Sequence, residues 1–196
     1  MKCPRLLFLL CLALPTLSFA ELKDENLLQS LPQGYKIDYQ IQQGNMLMTE
    51  MVPQAESVKN WTEMVTTHIY LGAKNLSHEA FQAEMEKGWL AACKGGEISP
   101  IKKGNENGYA FSMWVQTCPN NPVTGKPEDT LFKAIKGNDS YYVVQKAFRF
   151  EPTNEQISRW VLYLRTVGVC DTRLANSPCP KPLTGAEIPV TAPTPQ

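Results

Sequence analysis

The chain has only two histidines, His68 and His78, and it contains no H-x-x-x-H or C-x-x-C spacing. Zinc sites need histidine and cysteine ligands clustered at such short spacings, so no metal site is predicted. The sequence also lacks a G-x-S-x-G elbow, a phosphate-binding loop, a Rossmann glycine pattern and an EF-hand string. We therefore predict no catalytic residue and no resident cofactor from motifs.

An excess of charge of one sign is also missing, because 19 lysines and arginines balance 19 aspartates and glutamates. Basic residues are scattered, and Lys102-Lys103 is the densest pair outside the N-terminal segment. Nucleic-acid binding and adhesion to an anionic membrane both require a concentrated positive field. Neither is predicted. The apolar and charged contents are those of an ordinary globular protein.

The apolar run Leu6–Leu14 is too short to stay in a bilayer, so stable membrane insertion is not predicted. Lys2 and Arg5 precede the run, and the small-x-small string Ser18-Phe19-Ala20 follows it. This layout is typical of a secretory signal peptide. We predict that residues 1–20 are removed and that the mature protein begins at Glu21.

Export would expose the mature chain to an oxidising compartment, where an even number of cysteines suggests disulfide bonds. Outside the predicted signal peptide the cysteines are Cys93, Cys118, Cys170 and Cys179. Three pairings are possible. The pairs Cys93–Cys118 and Cys170–Cys179 are favoured, because each closes a short loop between neighbouring elements.

Alternation of apolar and polar residues, together with β-branched and aromatic content, predicts about seven strands. These strands cover 35–42, 46–52, 61–71, 97–102, 109–118, 130–136 and 140–150. One helix is predicted from His78 to Cys93, and the capping box Thr153-Asn154-Glu155-Gln156 opens a second. Hairpin connections favour antiparallel pairing. The predicted fold class is α+β, a mostly antiparallel sheet of about seven strands with two principal helices packed on it.

Domain organisation follows from these elements. Residues 21–31 are predicted to be a polar lead-in with a short helical turn, and residues 32–180 a single α+β domain. The segment 119–129 contains three prolines and is predicted to be a long loop. The proline-rich residues 181–196 show no apolar period and are predicted to be a disordered tail.

Several strings carry a resemblance to known sequences. They are LPQGY (31–35), NWTEM (60–64), YYVVQKAFRFEP (141–152), VCDTR (169–173) and PCP (178–180). As a set they resemble a family of uncharacterised exported proteins of Gram-negative bacteria. The resemblance implies a bacterial origin and a periplasmic or secreted location, and it transfers no activity. The order of elements also resembles the PsbP-like α/β/α sandwich, which is a likeness of fold and does not give function.

Five residues are candidates for a binding site. Trp61 is interpreted either as an anchor for a ligand, with Glu63 on the same strand face, or as a packing residue that fastens the preceding loop. Lys146 and Arg149 alternate with phenylalanines and predict either an anion-binding strip or a solvated face paired with acidic neighbours. His68 is either a partly buried structural residue or a general base near Thr66.

These alternatives leave three hypotheses for function. The first is an exported, non-catalytic binding or interaction module with an unknown protein or small-molecule partner. The second is a hydrolase that uses His68 as general base with a threonine or serine. The third is a secreted, effector-like protein that binds host components and uses the proline-rich tail as a linker.

Overall fold

A computed structural model describes residues 22–180, so the predicted signal peptide and the predicted tail lie outside the described residues. Residues Lys23–Cys179 form one compact unit. Its strands are β1 (Glu25–Leu28), β2 (Tyr35–Gln43), β3 (Met46–Pro53), β4 (Glu63–Tyr70), β5 (Glu97–Glu106), β6 (Tyr109–Asn121), β7 (Lys126–Lys136), β8 (Tyr141–Phe148) and β9 (Gly168–Asp171). Its helices are α1 (His78–Ala92) and α2 (Asn154–Thr166).

The main sheet has seven strands in the order β2-β3-β4-β8-β7-β6-β5, and every neighbouring pair is antiparallel. This arrangement confirms the predicted α+β class. Side chains alternate between the two faces of a strand. Val143 belongs to the core under α1 and Val144 to the core under α2, so the helices cover opposite faces. Within residues 22–180 neither helix has the length and apolar character that a membrane crossing requires.

The two helices pack differently. The capping box of α2 forms as predicted at Thr153 and Gln156, and Trp160 and Leu164 are buried against the sheet. Helix α1 is capped by Ser77, and it contributes Phe81 and Met85 to a smaller core on the other face. Because no residue of α1 is fully buried, this helix covers its face only partly.

The N-terminal lead-in is a strand, and the predicted helical turn is wrong. β1 pairs antiparallel with β9, which follows α2 directly. The Glu25 carboxylate of β1 accepts hydrogen bonds from the backbone N–H groups of Asn138, Asp139 and Ser140 and from the Tyr142 hydroxyl. These bonds fix the lead-in to the β7–β8 turn. The short polar stretch gave no local sign of this pairing because its partner lies far along the chain.

The predicted loop at 119–129 is wrong, since β6 continues to Asn121 and β7 starts at Lys126. Beyond Thr117, β6 pairs with β7 alone. A proline is tolerated in a strand that has one unpaired side or a bulge, and the register shifts between Cys118 and Asn121. The β5–β6 hairpin is also tighter than predicted, because Asn107 and Gly108 both adopt positive φ in a two-residue turn.

β2 confirms the predicted strand, but a bulge at Asp38 interrupts its alternation. Before the bulge Ile37 pairs with Met51, and after it Tyr39 pairs with Glu50. Apolar residues on both sides of the bulge stay exposed, with Ile37 at 50%. β2 is the edge strand, and only its first residue, Tyr35, is buried, against Trp160 of α2.

Both favoured disulfides form, Cys93–Cys118 between the end of α1 and β6, and Cys170–Cys179 between β9 and the following loop. Both bonds lie within the compact unit Lys23–Cys179. Disulfides persist in oxidising compartments, which is consistent with the predicted export.

We expect the mature protein to offer no free thiol. Native protein treated with iodoacetamide should remain unlabelled, and reduction should raise the intact mass by about four hydrogens. Reaction of any of the four cysteines in folded, unreduced protein would contradict both bonds.

Candidate functional site

A cleft lies between α2 and the segments that begin β2 and end β3, and we call it the α2 cleft. It has a volume of about 510 Å³. Its walls are mostly aromatic rings and prolines: Pro32, Tyr35, Pro53, Trp160 and Tyr163. The charged groups at its surface are Glu63 and Arg159. A concave, mainly apolar site with a few polar groups is the usual form of a ligand pocket.

A buried polar cluster lies behind the wall of this cleft. The Lys146 amine donates to Glu63 Oε2 at 2.6 Å and to the Tyr35 hydroxyl at 2.8 Å. The Tyr35 hydroxyl in turn donates to Glu63 Oε2 at 2.8 Å. Lys146 Nζ also lies 4.0 Å from the centre of the Trp160 ring. The side chain of Lys146 is fully buried, whereas that of Glu63 is 21% exposed and reaches the cleft.

Burial changes the protonation of this cluster. Desolvation lowers the pKa of Lys146 to about 8, although the hydrogen bond and the charge of Glu63 oppose the shift. Burial and the neighbouring Glu63 carboxylate raise the pKa of Tyr35. At neutral pH the amine is therefore still charged and paired with Glu63, while Tyr35 keeps its proton. Strongly shifted groups beside a cleft are typical of functional sites.

The structure separates the predicted site residues into two pairs. Glu63 and Lys146 meet at the α2 cleft, whereas Trp61 and Arg149 meet on the opposite side of the sheet. The predicted common face of Trp61 and Glu63 is wrong, because β4 begins only at Glu63. The Glu56 carboxylate accepts hydrogen bonds from the N–H and the hydroxyl of Thr62, and these bonds fix the chain between Glu56 and Thr62.

The predicted strip of Lys146 and Arg149 does not form either. Residues three apart in extended chain point to opposite sides, and Arg149 lies one residue beyond the end of β8. Lys146 is buried under α2. The alternative interpretation, a solvated face, is therefore also wrong for Lys146. The Arg149 guanidinium stacks on the Trp61 ring, 3.7 Å from its centre. Its Nε is buried without a hydrogen-bond partner among the described residues.

Trp61 and Arg149 line a second cavity of about 400 Å³, which we call the α1 pocket. It occupies the part of the sheet that α1 covers incompletely. Helix α1 contributes Met85 and Trp89 to one wall. The carboxylates that line it are Glu50 and Glu128.

His68 lies apart from both cavities. On β4 it pairs in register with Met48 and Val143, and its ring stacks on Tyr70 with centres 6.0 Å apart. Burial alone lowers the pKa of His68, so the ring is neutral at pH 7. Within residues 22–180 no hydrogen bond joins it to a hydroxyl or a carboxylate. A general base needs such a partner within reach.

One group of carboxylates has the spacing of a metal site. Oxygens of Glu25, Asp139 and Asp171 lie within 4.8 Å of one another. The Arg173 guanidinium contacts Asp139 and Asp171, at 2.5 and 2.6 Å, and lowers the pKa of Asp171. The Glu25 carboxylate accepts hydrogen bonds from backbone N–H groups of the β7–β8 turn. These contacts give the cluster a structural role.

Sequence reasoning missed Tyr35, Arg159, Trp160 and Tyr163 as site residues. One signal was present: Lys146 interrupts the apolar string YYVVQKAF. A lysine inside a strand that is apolar on both faces must be buried, and buried charges need a partner.

Comparison with known proteins gives no assignment of family. No protein-family model matches the chain, and no curated protein matches it. A structure of a mutant of the protein Mog1 is similar at 13% identity and a TM-score of 0.42, covering 70% of this chain and 78% of that one. The Ran-binding protein Mog1p of Saccharomyces cerevisiae is similar at 12% identity and a TM-score of 0.43, covering 77% and 98%. Likeness at this level carries no conclusion about what this chain binds.

Proposed function

We propose that this chain is an exported, non-catalytic binding protein of a Gram-negative envelope or secretome and that its ligand site is the α2 cleft. The observation that carries the proposal is a cavity of about 510 Å³ with aromatic and proline walls above a buried Lys–Glu–Tyr cluster. The signal-peptide pattern and the two disulfides support export.

The charges of the cleft favour an anionic ligand. Lys146 neutralises Glu63 from behind, which leaves the exposed guanidinium of Arg159 as the unbalanced charge. No salt bridge within residues 22–180 involves Arg159. A guanidinium presents a planar fork of donors that matches a carboxylate. The ligand class that fits is a small organic anion with an aromatic or aliphatic body.

The same contacts support binding rather than catalysis. Lys146 donates to Glu63 and Tyr35 and lies against the Trp160 ring, so its amine holds the floor of the cleft in place. His68, the base required by the hydrolase hypothesis, lines neither the α2 cleft nor the α1 pocket.

Calorimetry with 4-phenylbutyrate tests this function. Arg159→Gln should weaken binding about tenfold or more, because a charge-assisted hydrogen bond contributes about 1.5–3 kcal/mol. The matched control is Arg165→Gln, which removes an exposed arginine of the same helix outside the cleft and should bind like the wild type.

The neutral analogue 4-phenylbutanol should bind more weakly than 4-phenylbutyrate to the wild type and equally to Arg159→Gln. If neither compound binds, or if both arginine variants weaken binding alike, the α2 cleft is not an anion site and the proposal fails.

A further inference from the structure

We propose that the α1 pocket is a second ligand site, independent of the α2 cleft, and that it takes a small organic cation, a primary amine on an apolar body. The two cavities lie on opposite faces of β4 and β8. On β4, Glu63 lines the α2 cleft, whereas Met64 and Thr66 line the α1 pocket. The proposal rests on the floor of the pocket, its charge and its apolar wall.

The floor is a patch of polar side chains in the middle of the sheet. In register across four strands lie Glu50, Thr66, Gln145 and Phe132. Residues directly opposite in antiparallel strands share a face, so all four point toward α1. Thr66 is only 4% exposed and still lines the cavity. Within residues 22–180 no hydrogen bond engages the side chain of Thr66 or of Gln145.

The next row of paired residues across the sheet also contains buried polar side chains without hydrogen-bond partners in the described chain. Thr130 lines the cavity and is 3% exposed. Its neighbour in register on β6, Gln116, is fully buried, and both atoms of its amide lack a partner among the described residues. Buried polar groups in folded proteins are nearly always hydrogen-bonded. Gln116 itself does not line the cavity, whereas Thr66, Thr130 and Gln145 do. Their side chains have no hydrogen-bond partner within residues 22–180, so a ligand in the pocket can supply one.

The charge of the pocket sets the sign of that ligand. Two carboxylates, Glu50 and Glu128, line the cavity against one cation, Arg149. Burial raises the pKa of both carboxyl groups, and at Glu128 the hydrogen bond from Asn121 and the charge of Arg149 offset this only partly. No salt bridge in the described part of the chain reaches either carboxylate. A half-buried carboxylate without an ion pair is costly, and a bound cation would remove that cost.

The wall indicates an organic cation rather than a metal ion. Met85 and Trp89 of α1 face Phe132 of the sheet across the cavity. Aromatic faces attract ammonium and guanidinium groups, and the Arg149–Trp61 stack already shows this contact at the edge of the pocket. Metal ions instead need several oxygen ligands at close range. An amine would reach the carboxylates while its apolar body packs on the helix side.

The test uses the full mature protein and 2-phenylethylamine, followed through the indole N–H signals of the four tryptophans. Single tryptophan-to-phenylalanine variants assign these signals. Addition of the amine should shift the signals of Trp61 and Trp89 and leave that of Trp160 unchanged. The neutral compound 2-phenylethanol, of the same shape, should bind at least about tenfold more weakly.

Glu128→Gln should weaken binding of the amine about tenfold, and it keeps the acceptor for Asn121, so folding is preserved. The control is Asp129→Asn, the adjacent carboxylate on the opposite face of β7, which should bind like the wild type. Glu50→Gln provides an independent second variant. Equal binding of amine and alcohol, an unchanged affinity in both glutamate variants, or a shift confined to Trp160 would each overturn the proposal. Absence of any shift at about 10 mM amine would overturn it as well.

Discussion

Trp160→Ala is expected to lower the free energy of unfolding by about 3–5 kcal/mol, as truncation of a buried aromatic ring usually does. Trp160 is 6% exposed. Its ring packs edge-on against Tyr35 and Tyr163, with centres 5.3 Å away in both cases. The substitution would also uncover the Lys146 amine beneath it. Since a domain is stable by about 5–15 kcal/mol, the variant should be close to unfolding at 37 °C.

The measurement is the urea midpoint followed by circular dichroism. Leu162→Ala is the matched control, because Leu162 lies on the same helix and is 62% exposed. Its midpoint should stay near that of the wild type. A midpoint for Trp160→Ala equal to that of Leu162→Ala would mean that this face of α2 does not form the core.

Glu63→Ala is expected to be equally severe, with a loss of about 3–5 kcal/mol, because it leaves a fully buried lysine without its counter-charge. The Tyr35 hydroxyl would lose its acceptor at the same time. Equilibrium unfolding at pH 7 measures the loss. The control is Glu79→Gln, which breaks the exposed pair with Lys103 at 3.5 Å and should hardly change the midpoint.

A combined variant separates charge burial from packing. Replacing Glu63 and Lys146 with methionine and Tyr35 with phenylalanine removes every member of the polar cluster together. It should recover most of the stability that Glu63→Ala loses, since an apolar replacement of similar shape leaves no polar group unpaired. If the combined variant is no more stable than Glu63→Ala, the cluster stabilises the fold by more than the pairing of its own polar groups.

Local signals in the sequence predict much of the fold. The capping box at Thr153 and the apolar spacing after it define α2, and loop length selects both disulfide pairs. The strands of the central sheet follow from their alternation. These features are readable because their causes lie within a few residues. The strand β1 was not readable in this way, because its partner β9 lies at the other end of the compact unit.

The site was only partly predictable, for a related reason. Glu63, Lys146, Trp61 and Arg149 were singled out, but their grouping depends on which strand face each occupies. A shift of one residue at the start of β4 moves a side chain from one cavity to the other. The bulge at Asp38 reverses faces in the same way on β2. His78 shows a further limit, because its ring contacts two groups distant in sequence, the Tyr141 hydroxyl at 2.8 Å and the Ala110 carbonyl at 3.1 Å.

The two cavities differ in a way that a single sheet makes possible. Alternation along β4 and β8 sends Glu63 and Lys146 toward α2, and sends Thr66 and Gln145 toward α1. The first pair neutralises itself and leaves Arg159 as the free charge of the α2 cleft. The second face keeps its carboxylates unpaired. Ligands of opposite charge are therefore expected on opposite faces, and the tryptophans report on each face separately.

The most direct test of the central claim, that the α2 cleft binds an organic anion, is the indole N–H spectrum of the mature protein titrated with 4-phenylbutyrate. The Trp160 Nε1 group is buried in the wall of the cleft and has no hydrogen-bond partner among the described residues. We expect its signal to shift to saturation while those of Trp61, Trp89 and Trp114 stay in place. A Trp160 signal that does not move, or equal movement of all four signals, would contradict the account.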